Sequence, residues 1–314
     1  MKRFVEERPT CLKDVVLPPV LRALFEKYIE TLKIPHLLLV GTQGCGKTTL
    51  ARVLSKELNA KTLEINASKE NGIDVIREKL ENFCKTPNVE AIFDLDNNSK
   101  GFMKKIVILD EFDYTTPAFK EAFKSFIETY EDNVVFIVTG NNITSLTAPL
   151  MSRFKSGYIN FDVIFGSMSE SESKMFRTEL KQYIVFKVQT QSVEYDDNTI
   201  DEILESYFPD FRSVLNECER TIDENGNLKS YKANLKYDVK SYFTMPLKKL
   251  VTECEKIDNK NIFYKNMIEY ILDIEDENAY LIVTRMIEKL KSNYSKSGLT
   301  NLVILVKKIL SQVK

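Results

Sequence analysis

The chain has 314 residues, 43% hydrophobic and 29% charged, long enough for a substantial core and for two or three domains. No uncharged apolar run approaches the roughly 20 residues of a membrane helix, and the opening MKRFVEERPT lacks the apolar stretch of a signal peptide. A formal net charge of −2 gives no global attraction to nucleic acid, so any DNA contact requires a local basic patch.

The five cysteines (Cys11, Cys45, Cys84, Cys218 and Cys254) form no CxxC pair, and His36 is the only histidine. That pattern excludes a Cys/His zinc site and fits free thiols in a reducing cytoplasm. The expectation is a cytoplasmic protein without membrane contact.

In chain order, residues 36–40 (HLLLV), 62–66 (TLEIN), 105–110 (KIVILD), 134–139 (VVFIVT) and 158–163 (YINFDV) read as short strands. Helical patterns separate most of them, which predicts a parallel sheet covered on both faces. One such helix carries Ile73, Ile76, Leu80 and Phe83 on one face. Another carries Phe119, Phe123, Phe126, Ile127 and Tyr130, with Thr116 as N-cap and Pro117 as first helical residue. Beyond about residue 165 the pattern turns mainly helical, and DENGNLKSYKAN reads as a linker. The expected organisation is an α/β nucleotide-binding domain over 1–165, a small helical domain over 166–232 and a helical C-terminal domain over 233–314.

Gly41-Thr42-Gln43-Gly44-Cys45-Gly46-Lys47-Thr48 matches the P-loop pattern G-x-x-x-x-G-K-[ST] between an apolar strand and a helix. Its backbone N–H groups can wrap phosphates at the helix N-terminus, Lys47 can reach the β and γ phosphates, and the Thr48 hydroxyl can bind Mg²⁺. The loop alone leaves ATP and GTP open. KIVILDEFD ends a buried strand in Asp110 and Glu111. Asp110 can hold the Mg²⁺ shell and Glu111 can polarise an attacking water. Two acids after a strand also suit a solvated helix entry, but the upstream P-loop favours the chemical role. Asp113 is read as a cap for the next turn. Asn141 ends a third strand, where an amide can sense the γ phosphate or hold the attacking water, or only close a turn.

Taken together, these residues resemble the AAA+ ATPases, and within them the clamp-loader ATPase subunits of the replication factor C type. Glu7-Arg8-Pro9 with Leu12 and Asp14-Val15-Val16 is similar to the family's N-terminal segment. Asn66-Ala67-Ser68 with Gly72 to Arg77 resembles its second signature, and Asn141 to Arg153 resembles sensor 1 running into the Ser-Arg-Cys box. Pro209-Asp210-Phe211-Arg212 resembles sensor 2, in a form most similar to the large subunit of T4-like phage clamp loaders. The resemblance spans about residues 4 to 220; the remainder matches only in length and helicity.

The resemblance implies an AAA+ domain, a helical lid and an all-helical collar that assembles a pentameric ring. It implies that Phe4, Val5, Glu6, Glu7 and Val16 border the adenine of ATP. Gly44, Cys45, Gly46, Lys47, Thr48 and Thr49 would hold the phosphates, and Arg212 would meet them from the lid. Arg153 would act in trans on ATP in the adjacent subunit, a contribution typically worth about 10³- to 10⁵-fold in rate. The implied partners are copies of the chain, a distinct small subunit, a sliding clamp and primer-template DNA. Four positions depart from the family: Glu7 replaces Tyr, Phe154 replaces the cysteine of the box, and Lys120 and Lys124 replace Gln and Arg.

Arg77 lies beside the apolar face of its helix, and Lys120 and Lys124 share a stripe at i, i+4. In the family the corresponding helices track the DNA backbone, where such contacts position without reading sequence. With Glu78, Glu81 and Glu121 nearby, ordinary solvated charge is the alternative. The competing functions are another AAA+ DNA-remodelling ATPase and a structural ATP-binding ring subunit with little hydrolysis.

Overall fold

The computed structural model describes residues 4, 7–69, 73–86, 104–141, 146–228, 237–255, 257, 260–272, 303–304 and 306–307. Val5, Glu6 and Gly72, and most of the C-terminal helical pattern, lie outside the described residues, as do the side chains of Ile73 and Ile76. The chain divides into two compact units, Lys2–Phe161 and Asp162–Lys314. No helix among the described residues is long and apolar enough to cross a membrane.

The first unit is built on five parallel strands: β1 (Leu37–Val40), β2 (Thr62–Asn66), β3 (Lys105–Asp110), β4 (Val134–Gly140) and β5 (Tyr158–Asn160), in the order β2-β3-β4-β1-β5. The strands β1, β3 and β4 are buried along their whole length, as continuous apolar runs covered on both faces require. Edge strand β2 buries only part of its length. The helices are α1 (Pro19–Thr31), α2 (Lys47–Glu57), α3 (Ile73–Lys85), α4 (Pro117–Tyr130) and α5 (Ala148–Arg153). Register decides what shares the sheet's carboxyl edge: Asn66 lies opposite Asp110, and Val40 opposite Gly140.

The main core is the apolar face of α4, Phe119, Phe123, Phe126 and Ile127, packed with Phe112, Phe136, Leu150 and Phe154. Full burial of such a side chain contributes about 1.5–3 kcal/mol, so this face rather than helix propensity holds α4 on the sheet. Thr116 caps it, accepting a hydrogen bond from the Phe119 N–H at 3.2 Å. Lys105 opens β3 only 2% exposed, and its ammonium meets the carbonyls of Phe83, Cys84 and Thr86, closing the C-terminal end of α3.

Two expectations need correction. The run YINFDV pairs with β1 only through Asn160, and Phe161 opens a helix, α6 (Phe161–Ser167), with Asp162 in its first turn. The stretch read as a linker contributes β7 (Asn227–Leu228), which pairs in parallel with β6 (Glu194–Tyr195) after a turn at Gly226.

The second unit also contains α7 (Glu170–Thr190), started by a capping box between Ser169 and Glu172, α8 (Asp197–Tyr207) and α9 (Phe211–Thr221). Phe165, Phe176, Phe208 and Phe211 form one aromatic cluster with ring centroids 5.6–6.3 Å apart. Further on, α10 (Val239–Thr244), α11 (Leu247–Glu255) and α12 (Lys260–Leu272) share a core of Val239, Leu250, Phe263 and Met267 with Val303 and Val306.

Candidate nucleotide site

After β1 the backbone leaves the sheet at Gly41, whose N–H donates to the Gly140 carbonyl at 3.3 Å. Gly44 and Gly46 take φ of 83° and 95°, where a side chain would be strained. The helix α2 starts directly on Gly46, which offers no side-chain cap. Its first-turn N–H groups are therefore a donor set suited to phosphate oxygens, reinforced by the helix dipole.

Lys47 is only 7% exposed. Its ammonium donates to the carbonyls of Gly41 and Thr42, each at 2.8 Å, and to Asn141 Oδ1 at 3.2 Å. The Cys45 sulfur, itself buried, lies 3.8 Å from the same nitrogen. P-loop and β4 tip therefore meet through one cation.

Thr48 donates its hydroxyl proton to Asp110 Oδ1 at 2.7 Å, leaving its lone pairs for a cation. The Thr139 hydroxyl donates to the same carboxylate oxygen. Among the described residues no cluster of three or more His, Cys, Asp or Glu could hold a metal unaided. One hydroxyl and one carboxylate are a hard-oxygen set that fits Mg²⁺, which commonly completes its shell with phosphate and water.

Glu111 follows Asp110 with φ 57° and ψ 44°, a left-handed conformation costing a non-glycine residue about 1–2 kcal/mol. Its N–H donates to the Thr139 hydroxyl oxygen at 3.2 Å. Asp113, read as a cap for the next turn, accepts the Asn141 N–H with its carboxylate. Sequence reasoning missed Thr139, whose signal is a hydroxyl at the inner end of an otherwise apolar strand.

Elsewhere in this unit, Phe4 is fully buried, Glu7 and Val16 are partly buried, and Thr49 stands in the first turn of α2. The turn at Leu12–Val15 is tied down twice. The Leu12 N–H donates to Glu57 Oε1 at 2.7 Å, and Arg22 donates to the carbonyls of Leu12 and Val15 at 3.3 and 2.9 Å.

Arg153 ends α5 and takes part in neither the Lys47–Asn141 nor the Thr48–Asp110 contact. Its guanidinium pairs with Glu128 of α4 and donates to Ser152 Oγ at 3.2 Å. The hydrogen bond from Arg153 holds the Glu128 carboxyl below its usual range, and the Lys124 charge adds to this. Phe154, where the resemblance expects cysteine, is fully buried, its ring 6.3 Å from His36. In the second unit Arg212 is exposed on the first turn of α9, while Asp210 caps that helix and Phe211 joins the aromatic cluster.

Arg77 is exposed on α3, with Nε 3.4 Å from Glu81. The stripe expected on α4 is not uniformly open. Lys124 is partly buried, whereas Lys120 is 7% exposed with its ammonium 6.0 Å from the Phe112 ring centroid, a cation–π placement that turns it toward the segment after Glu111.

Residues 37–160, from the start of β1 to the end of β5, match the ATPase family associated with various cellular activities (AAA). The chain is 32% identical over 219 residues to replication factor C small subunit 1 of Pyrobaculum aerophilum, covering 68% of this chain and 59% of that protein. It is 36% identical over 152 residues to the probable replication factor C subunit 5 of Caenorhabditis elegans, covering 46% and 41%. It is 30% identical over 227 residues to replication factor C subunit 3 of Blastobotrys adeninivorans, covering 69% and 60%. The chain thus spans less than two thirds of the length of these relatives. A RuvB point mutant of Thermotoga maritima shares the fold, with TM-score 0.53, 16% identity and coverage of 78% of this chain and 84% of that one. The five-stranded parallel sheet with a P-loop and an acid pair at its carboxyl edge is thus the part of the chain, residues 37–160, that matches the AAA ATPase family.

Proposed function

We propose that the chain is an ATPase subunit of a sliding-clamp loader, opening the clamp and placing it on primer-template DNA during replication. The observation that carries the ATPase part is the convergence of two hydrogen-bonded pairs, Lys47 with Asn141 and Thr48 with Asp110, at the sheet's carboxyl edge, with Glu111 beside them. Similarity to replication factor C subunits supports the clamp-loading part.

In this reading the N–H groups of Gly44 to Thr49 bind the phosphates of ATP, and Lys47 neutralises charge on the β and γ groups. The Thr48 hydroxyl and, through water, Asp110 would hold Mg²⁺, which would supply neutralisation of phosphate charge. Glu111 orients a water for attack on the γ phosphate and Asn141 fixes its position. Phe4, Glu7 and Val16, with Val5 and Glu6, border the adenine. Arg212 meets the phosphates from a lid over 166–232, and residues 233–314 form the collar that assembles copies of the chain with a distinct small subunit. Arg153 completes the site of the adjacent subunit. Arg77 and Lys124 contact DNA phosphates; the burial of Lys120 argues against a direct role for it. The PDFR sequence supports a type similar to the T4-like large subunit, with the cytoplasm as location, the host's if phage-encoded.

ATP binding favours the spiral that holds an open clamp, and hydrolysis removes that preference, a shift of populations. The test is ATPase of the chain with its co-expressed partners, with and without clamp and primer-template DNA, for wild type and Glu111→Gln. Stimulation by clamp and DNA that disappears in Glu111→Gln is expected. ATP binding without hydrolysis would identify a structural ring subunit, and hydrolysis indifferent to clamp and DNA another AAA+ remodeller.

A further inference from the structure

Thr139 has a buried hydroxyl, 1% exposed, near the carboxyl end of an apolar strand. Its single proton goes to Asp110 Oδ1 and its oxygen accepts the Glu111 N–H at 3.2 Å. One hydroxyl thus bonds both acids. Glu111 occupies a left-handed conformation that persists only where surrounding contacts over-determine it, and Thr139 binds the amide of that same residue.

A reciprocal bond lies across the same two strand ends. The Asp113 carboxylate accepts the Asn141 N–H, and Asn141 Oδ1 accepts from Lys47. Gly140 permits this approach, since a Cβ there would stand 3.2 Å from both Asp113 oxygens. The turn after β3 therefore reaches to β4 through Asp113, and β4 reaches back through Thr139.

We propose that Thr139 and Asp113 form a clasp that sets the geometry of hydrolysis, acting as positioning residues for Glu111 and Asn141. The proposal rests on the ATPase reading and deepens it. The hydroxyl of Thr139 and the carboxylate of Asp113 are committed to the site's own backbone and to Asp110. Their loss should therefore affect the rate of the chemical step and leave nucleotide affinity in place.

The experiment is single-turnover hydrolysis of ATP by the chain assembled with its co-expressed partners, in excess over ATP, with equilibrium binding of a fluorescent ATP analogue and a thermal melt on each variant. Thr139→Val, nearly isosteric, is expected to slow hydrolysis about 10- to 100-fold, the scale of a small misplacement of reacting groups, with the Kd changed less than about twofold. Thr139→Ser is expected to recover most of the rate. Asp113→Ala, at a half-buried site, serves as the second variant if Thr139→Val folds poorly, with the same split between rate and affinity. An unchanged rate in Thr139→Val and Asp113→Ala overturns the clasp, as does a loss shared equally by Thr139→Ser or a parallel loss of affinity. Glu111→Gln separates the two readings: if wild type is no faster than Glu111→Gln, the ATPase reading falls and the clasp with it. If wild type is faster and Thr139→Val equals wild type, only the clasp falls.

Discussion

His36 stands at the entry to β1, and its Nδ1 accepts the Phe136 N–H at 3.1 Å, so the neutral ring must carry its proton on Nε2. Burial, then the neighbouring Lys104 charge, lowers its pKa from 6.5 to about 4. Between those values the unfolded chain binds the proton and the folded chain does not. Stability contributed here is full above about pH 6.5 and is lost as pH falls toward 4. Denaturant titrations should show His36→Gln with a weaker fall in stability from pH 6.5 to 4 than wild type; equal slopes would refute this. The sequence excluded a metal site at this lone histidine. It did not reveal that the ring closes a backbone bond on a strand a hundred residues away, because that partner is set by sheet order.

At the scale of elements, contiguous motifs were legible and pairings were not. GTQGCGKT carries its own instructions: two glycines in left-handed backbone conformations and an uncapped helix start, all within eight residues. The apolar face of α4 was equally plain because its phenylalanines repeat at helical spacing. By contrast, the clasp of Thr139 and Asp113 joins residues 28 or 29 apart, and only the register of β3 against β4 brings them into bonding distance. The turn at Gly157 illustrates the same point for stability. A Cβ there would fall 2.1 Å from the His36 carbonyl oxygen, a backbone atom that cannot swing away. Gly157→Ala should therefore destabilise the first unit by at least about 1–3 kcal/mol, the usual cost of overpacking, seen as a lower denaturation midpoint. An unchanged midpoint would mean that the β1–β5 junction yields more easily than its packing suggests.

For the whole molecule, the placement of Arg153 carries the prediction. It pairs with Glu128 and takes part in neither the Lys47–Asn141 nor the Thr48–Asp110 contact of its own chain. In the assembled complex Arg153→Ala should lower the ATPase rate by roughly 10³-fold or more, with ATP binding by the isolated chain unchanged. Mixing Arg153→Ala chains with Glu111→Gln chains should restore part of the activity, because some interfaces then combine an intact Glu111 with an intact Arg153. No recovery on mixing would exclude action between subunits. Sequence alone determined the P-loop, the acid pair, the parallel sheet and the helical character that follows, since each is written in adjacent residues or in a repeating apolar pattern. Tertiary structure decided that Lys47 meets Asn141, that Asp110 is shared by Thr48 and Thr139, that Asp113 holds a strand tip, and that Lys120 is buried. Those outcomes depend on which strand ends become neighbours, and strand order and register are properties of the folded sheet rather than of any local stretch of chain.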